Sequence, residues 1–120
     1  MTYFFDTYAI IEIIKENKNY DPYGQEDIIT SILNLGELYY ALLRDFGERM
    51  ANEWKERLKG CYLIITEEII VGAMKFKIEN RGKNFSFIDC VGYVLARENN
   101  LKFLTGDKEF KDLDNVEFVE

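Results

Sequence analysis

The sequence predicts an α/β fold: a central parallel sheet with helices on both faces. Two observations carry this. Short apolar or β-branched runs alternate along the chain with longer stretches of helical hydrophobic spacing, the pattern of βαβ units. No Gly/Ser/Pro-rich linker divides the 120 residues, and the sole proline is Pro22, so one layered domain spanning residues 1–120 is expected. Right-handed crossovers then place helices on both sides of the sheet, and functional groups gather at the carboxyl ends of its strands.

The elements follow in order. Thr2–Phe5 is a short apolar strand, and Thr7 to Asn17 carries Ile10, Ile11, Ile13 and Ile14 at helical spacing. The polar stretch Asn19–Asp27, with Pro22 and Gly24, reads as a loop. Ile28–Ile32 is β-branched and reads as a second strand. Leu35, Leu38, Tyr39, Leu42 and Leu43 recur at three and four, giving a helix that Gly47 interrupts; Met50–Leu58 continues as another helix, which Gly60 ends. Cys61–Ile65 is a third strand, Glu67–Asn80 a helix closed by Gly82, and Phe87–Asn99 a further helix. Lys102–Leu104 is a fourth strand, Asp107–Leu113 a short helix, and Val116–Val119 the last strand.

Composition excludes several chemistries. Apolar residues make up 48% and charged residues 31% of the chain, an ordinary globular balance. Fifteen Lys and Arg against twenty-two Asp and Glu give −7, and there is no histidine. Ser-His-Asp and Cys-His nucleophiles and His-ligated zinc are therefore absent. Cys61 and Cys90 form no C-x-x-C and are expected to be reduced. The acidic total argues against nucleic-acid binding by bulk electrostatics alone, although a bound divalent cation reverses the field locally. No charged-then-apolar leader and no membrane-length apolar stretch is seen, so a soluble cytoplasmic protein, with no membrane partner, is the expectation.

Four acids stand where polar residues should be scarce. Asp6 follows TYFF directly, Glu37 lies within NLGELYYAL, Asp89 within FSFIDCVGYVLA, and Asp107 ends KFLTGD. Each has a local explanation: Asp6 and Asp107 as N-caps, and Asn34 with Glu37, or Ser86 with Asp89, as capping boxes. Capping alone does not place all four at the sheet edge where parallel α/β folds build sites. Two carboxylates about 5 Å apart repel by about 3 kcal/mol at an effective dielectric of 20. Four in one pocket therefore call for protonation or a cation. Hard oxygen donors without His or paired Cys select Mg²⁺ or Mn²⁺, ions that serve phosphoryl chemistry.

FFDT, NLGELYYAL, FSFIDCVGYVLA with the preceding Gly82, and FLTGDKEF, in this order and at these spacings, resemble the PIN domain family. In length the chain is most similar to the small archaeal and bacterial forms, the VapC-like toxins of VapBC toxin–antitoxin pairs. The resemblance covers essentially the whole chain. It implies a three-layer α/β/α fold around a parallel sheet of about five strands, ordered 3-2-1-4-5. It also implies Mg²⁺- or Mn²⁺-dependent hydrolysis of RNA phosphodiester bonds. Asp6, Glu37, Asp89 and Asp107 match the family's catalytic, metal-binding acids; Thr7 and Thr105 match supporting hydroxyls. Glu109 stands where many members carry a further Asp, and reads equally well as a solvated helix residue. An antitoxin partner and a homodimer are what the resemblance further implies.

On this reading Asp6, Asp89 and Asp107 hold the ion, Glu37 helps hold it or orients the attacking water, and Arg44, Lys75, Arg81, Lys83 and Lys108 are candidate contacts to RNA phosphates. The same cations also read as a solvated helix face. Tyr39, Tyr40 and Trp54 read as core packing or as a partner surface. Two alternatives stay open: a PIN domain that binds RNA or protein without cutting, and a Mg²⁺-binding phosphoacceptor of the receiver type. The latter usually has paired acids after its first strand, where Asp6 stands alone.

Overall fold

The structure, a computed structural model, describes residues 2–120. Three strands form a parallel sheet: β1 (Tyr3–Phe5), β2 (Lys102–Thr105) and β3 (Val116–Phe118), in the order β1-β2-β3. Tyr3 pairs with Lys102 and Phe103 with Val116. Five helices surround them: α1 (Thr7–Ile14), α2 (Ile32–Phe46), α3 (Glu48–Arg57), α4 (Glu67–Glu79) and α5 (Phe87–Glu98). Among the described residues no helix is long and apolar enough to cross a membrane.

Alternation within the strands builds the layers. Phe4 and Phe103 are buried in one apolar cluster, with Val91, Val94 and Leu95 of α5 and Ile69, Ala73 and Phe76 of α4. Phe5 and Leu104, one residue on, are buried in the other, with Ile10 of α1, Leu38 and Leu42 of α2 and Trp54 of α3. Helices thus cover both faces of the sheet, the α/β architecture the sequence predicts.

The expected five strands reduce to three. Ile28–Ile32 and Cys61–Ile65 meet only at a parallel bridge between Thr30 and Tyr62, so the order 3-2-1-4-5 is not realised as one ladder. Thr30 N–H donates to Cys61 C=O at 2.9 Å and Leu63 N–H to Thr30 C=O at 2.9 Å. The pairing stops because Ser31 already caps α2: its hydroxyl accepts from Asn34 N–H, and the backbone turns helical at Ile32. The helix therefore begins before Asn34, and the expected Asn34–Glu37 capping box does not form. The loop after α1 contains a 3₁₀ helix, Lys18–Gln25, and the short helix expected over Asp107–Leu113 is a 3₁₀ turn at Lys108–Phe110. Gly47, at φ 95°, breaks α2 from α3 as predicted, in a conformation that suits glycine. Both cysteines are free.

Candidate functional site

The four acids arrive at one cleft from four places in the chain. Asp6 directly follows β1, where its N–H donates to Leu104 C=O at 3.0 Å, and its carboxylate caps α1 by accepting from Thr7 N–H at 2.9 Å. Glu37 lies in the second turn of α2. Asp89 is the third residue of α5, in a full capping box: Ser86 N–H donates to Oδ2 at 2.9 Å while Asp89 N–H donates to the Ser86 hydroxyl at 3.1 Å. Asp107, beyond the end of β2, accepts from Glu109 N–H at 3.0 Å. Three of the four are therefore helix or turn caps, as the local reading held. All four also line a single open cleft of about 360 Å³, together with Thr7, Tyr8, Ile11, Tyr40, Ala41 and Arg44. Capping and gathering coincide because helix starts and strand ends share this edge of the sheet.

Hydroxyls hold the cleft's floor. Thr105 is fully buried and donates to Asp6 Oδ2 at 2.7 Å. Thr7 donates to Glu37 Oε1 at 2.7 Å and accepts from Asn34 Nδ2 at 3.0 Å; Ser31 in turn donates to Asn34 Oδ1 at 2.6 Å. This chain fixes α2 to the head of α1. Asn34 and Ser31 were not read as site residues, because an Asn beside a helix start looks like a cap; the legible signal was its burial-prone setting, NLGEL, beside an acid.

The electrostatics are those of crowded like charges. Asp6 is 5% exposed, and burial pushes its carboxyl up to about 7; the charges of Asp89 and Glu37 add to the rise, against the hydrogen bonds from Thr105 and Thr7. Burial also raises Glu37, with Asp89 contributing, and raises Asp89, with Asp107 contributing and Lys77 opposing. Each shift is the cost of holding a negative charge here without a counterion.

These donors suit a divalent cation. They are hard oxygens only, and among the described residues Glu37 Oε2, Asp89 Oδ1 and Asp107 Oδ2 take no hydrogen bond from the protein. Among those same residues no three Asp, Glu or Cys side chains stand close enough together to ligate one metal ion directly. Mg²⁺ does not require three such ligands, since it keeps several waters and is held by one or two carboxylates.

Of the predicted phosphate contacts, Arg44 lines this cleft, with its guanidinium bonded to Asp45 at 2.8 and 3.0 Å and 5.6 Å from the Tyr40 ring centroid. Lys108 is exposed on the turn after Asp107. Arg81 and Lys83 line a different pocket, and Lys75 a third depression beside Glu67 and Glu68. Glu109 does not line the cleft; it accepts from Asn84 N–H at 2.9 Å, tying the loop before α5 to the turn after β2. Trp54 is core, Tyr39 is half-buried with its hydroxyl on Asn52, and Tyr40 is exposed at the cleft mouth.

A parallel α/β sheet with an acid-lined cleft at its carboxyl edge defines a class of protein. The chain belongs to the PIN domain family, whose profile matches residues 3–116. Among proteins of curated function, none matches it by sequence. Among solved structures it is similar to VapC20 of Mycobacterium tuberculosis, a sarcin–ricin loop cleaving toxin, with a TM-score of 0.79, 19% identity, and coverage of 99% of this chain and 100% of that one. A toxin–antitoxin complex from Klebsiella pneumoniae matches with a TM-score of 0.76 and 14% identity, covering 98% and 96%. VapBC-1 from nontypeable Haemophilus influenzae matches with a TM-score of 0.72 and 20% identity, also covering 98% and 96%. At these identities the likeness is one of fold.

Proposed function

We propose that this protein is a metal-dependent ribonuclease of the VapC type, the toxin of a toxin–antitoxin pair, acting on RNA in the cytoplasm. The observation that carries the reading is the convergence of Asp6, Glu37, Asp89 and Asp107, from four separate elements, on one cleft where burial and mutual repulsion raise three of their carboxyls. The likeness to VapC20 and to toxin–antitoxin complexes supports both the activity and an antitoxin partner. A homodimer belongs to the same proposal.

Asp6, Asp89 and Asp107 would hold Mg²⁺ or Mn²⁺, one or two of them directly and the rest through water, with Glu37 assisting. When bound, the ion supplies Lewis acidity toward the phosphate and lowers the pKa of water. Asp6 is held for this task by Thr105 and Thr7, so its carboxylate does not rotate away. Glu37, braced by Thr7, has a free oxygen to accept a proton from the attacking water. That water's oxygen bonds to phosphorus as the bond to the leaving ribose oxygen breaks, and that oxygen takes up a proton from solvent. Arg44 is the one cation among the described residues lining the cleft, and its guanidinium, now on Asp45, would meet the incoming phosphate. A receiver-type phosphoacceptor needs a lysine at the site, and among the described residues none lines this cleft.

The test is cleavage of mixed-sequence single-stranded RNA in Mg²⁺ or Mn²⁺, with EDTA as control. Asp89→Asn keeps the volume and can still take part in the cap; it should fold and lose cleavage by about a hundredfold or more. Wild-type cleavage by a folded Asp89→Asn protein would sink the assignment.

A further inference from the structure

Helix α4 is apolar on two sides. Ile69, Ala73 and Phe76 are buried against α5, while Val71, Met74 and Ile78, spaced by three and four, stay 49%, 37% and 59% exposed. The C-terminal part of this outer stripe opens into a concavity of about 340 Å³, within the size range of small-molecule sites. Its walls are Met74, Ile78 and Phe85, and its rim is Lys77, Arg81 and Lys83. Among the described residues no carboxylate lines it, in a chain whose net charge is −7.

The backbone joins this pocket to the acid cleft. Lys77 donates from Nζ to Phe85 C=O at 2.5 Å, and the next residue, Ser86, donates its N–H to Asp89 Oδ2 at 2.9 Å. On the adjoining loop, Asn84 N–H donates to Glu109, on the turn that carries Asp107. The pocket therefore adjoins the Asp89–Asp107 side of the cleft.

Apolar walls under a rim of cations fit a ligand with flat apolar faces strung on a polyanion, which is single-stranded nucleic acid. We propose that the pocket is a nucleotide subsite for the RNA strand leaving the cleft past Asp89: a base lodges against Met74 and Ile78, and the flanking phosphates meet Arg81 and Lys83. This rests on the ribonuclease reading and extends it, by naming where substrate outside the scissile bond is held.

The experiment measures fluorescence anisotropy of labelled 12-nucleotide single-stranded RNA of randomised sequence, and of an abasic ribose-phosphate chain of the same length, on the full-length Asp89→Asn protein over a salt series. Met74→Ser with Ile78→Ser should weaken RNA binding roughly fivefold or more and leave the abasic chain unaffected. Arg81→Ala with Lys83→Ala should weaken both ligands and lower the salt slope by about 1.4. With Asp89 intact, the same pairs should raise KM for RNA cleavage at unchanged kcat. If the parent binds RNA and both pairs bind it equally well, the subsite is overturned and the nuclease reading survives. If the parent binds no RNA and the wild type cleaves none, both fall. If light scattering shows that Ile78→Ser converts a dimer to a monomer without weakening RNA binding, the stripe is an interface between copies and the subsite is overturned.

Discussion

At Asp6 a capping role and an electrostatic liability share one carboxylate. In the unfolded chain it titrates near 3.8, and in the fold it is pushed up to about 7, chiefly by burial. Between those values the folded protein binds a proton that the unfolded chain has released. This group therefore favours the metal-free fold most fully below pH 4, and that contribution is lost as the pH climbs through 7. Glu37 and Asp89 are raised too and act in the same sense; Asp45 and Glu56, which are lowered, oppose it only weakly because they are exposed. In EDTA, the urea midpoint should be higher at pH 5.5 than at pH 8. Asp6→Asn should flatten that difference and be at least about 1 kcal/mol more stable than wild type at pH 8. A wild-type midpoint that rises with pH in EDTA would contradict the buried-charge account. Thr7→Val tests the hydroxyl chain from the other side: it leaves Asn34 Nδ2 and Glu37 Oε1 each without a hydrogen-bond partner and should cost about 1–3 kcal/mol. The acids were legible in the sequence because a carboxylate inside an apolar run is conspicuous. Asn34 was not, since its side chain acts through Thr7, 27 positions earlier in the chain.

Elements decide where those residues point. The sequence located all five α-helices, because their apolar spacing is long enough to be unambiguous. It misjudged the strands at Ile28–Ile32 and Cys61–Ile65, where β-branched composition reports burial but not how far a ladder extends. The Ser31 cap, an event of one hydroxyl and one N–H, ended that pairing. The turn after β2 is more tightly determined than its T-G-D sequence discloses. A Cβ at Gly106 would lie 2.6 Å from Val119 C=O, 2.8 Å from the Tyr20 hydroxyl and 2.4 Å from the Tyr8 ring. The Val119 carbonyl is backbone beside β3 and Tyr20 is buried, so neither yields easily. Gly106→Ala should cost about 3 kcal/mol and, by displacing Asp107, lower cleavage more than the stability loss alone explains. Thermal unfolding and cleavage measured well below the new Tm separate the two effects. Ser86→Ala is the milder probe: losing the hydroxyl cap should cost about 1 kcal/mol, while the backbone N–H at position 86 still holds the Asp89 carboxylate, so cleavage measured below the new Tm should be largely kept.

Over the whole molecule, the layered fold concentrates negative charge at the sheet edge and leaves cations on α4 and its following loop. The apolar clusters on the two faces of the sheet hold the acid-bearing elements in place despite their repulsion. A sequence could announce the layering, through alternating Phe4–Phe5 and Phe103–Leu104, but not that Arg81 and Lys83 would gather at a pocket apart from the acids, because that depends on how α4 packs on α5. The charge imbalance leads to a global prediction. A divalent ion that enters the cleft must displace the protons that burial retains, so protons and metal compete. Mg²⁺ or Mn²⁺ at 100 times its Kd should stabilise the fold by about 2.7 kcal/mol, a rise in Tm of roughly 10 °C for a domain of this size. The rise should be larger at pH 8 than at pH 5.5, and the metal should reverse the slope of stability against pH seen in EDTA. Asp89→Asn and Asp107→Asn should each diminish the rise without lowering the metal-free Tm by more than a cap's worth. NaCl at matched ionic strength screens the same repulsion without occupying the cleft, so it should give a smaller increase that does not saturate. If NaCl and MgCl₂ raise the Tm equally at matched ionic strength, the carboxylates are merely screened and the cleft is not a metal site.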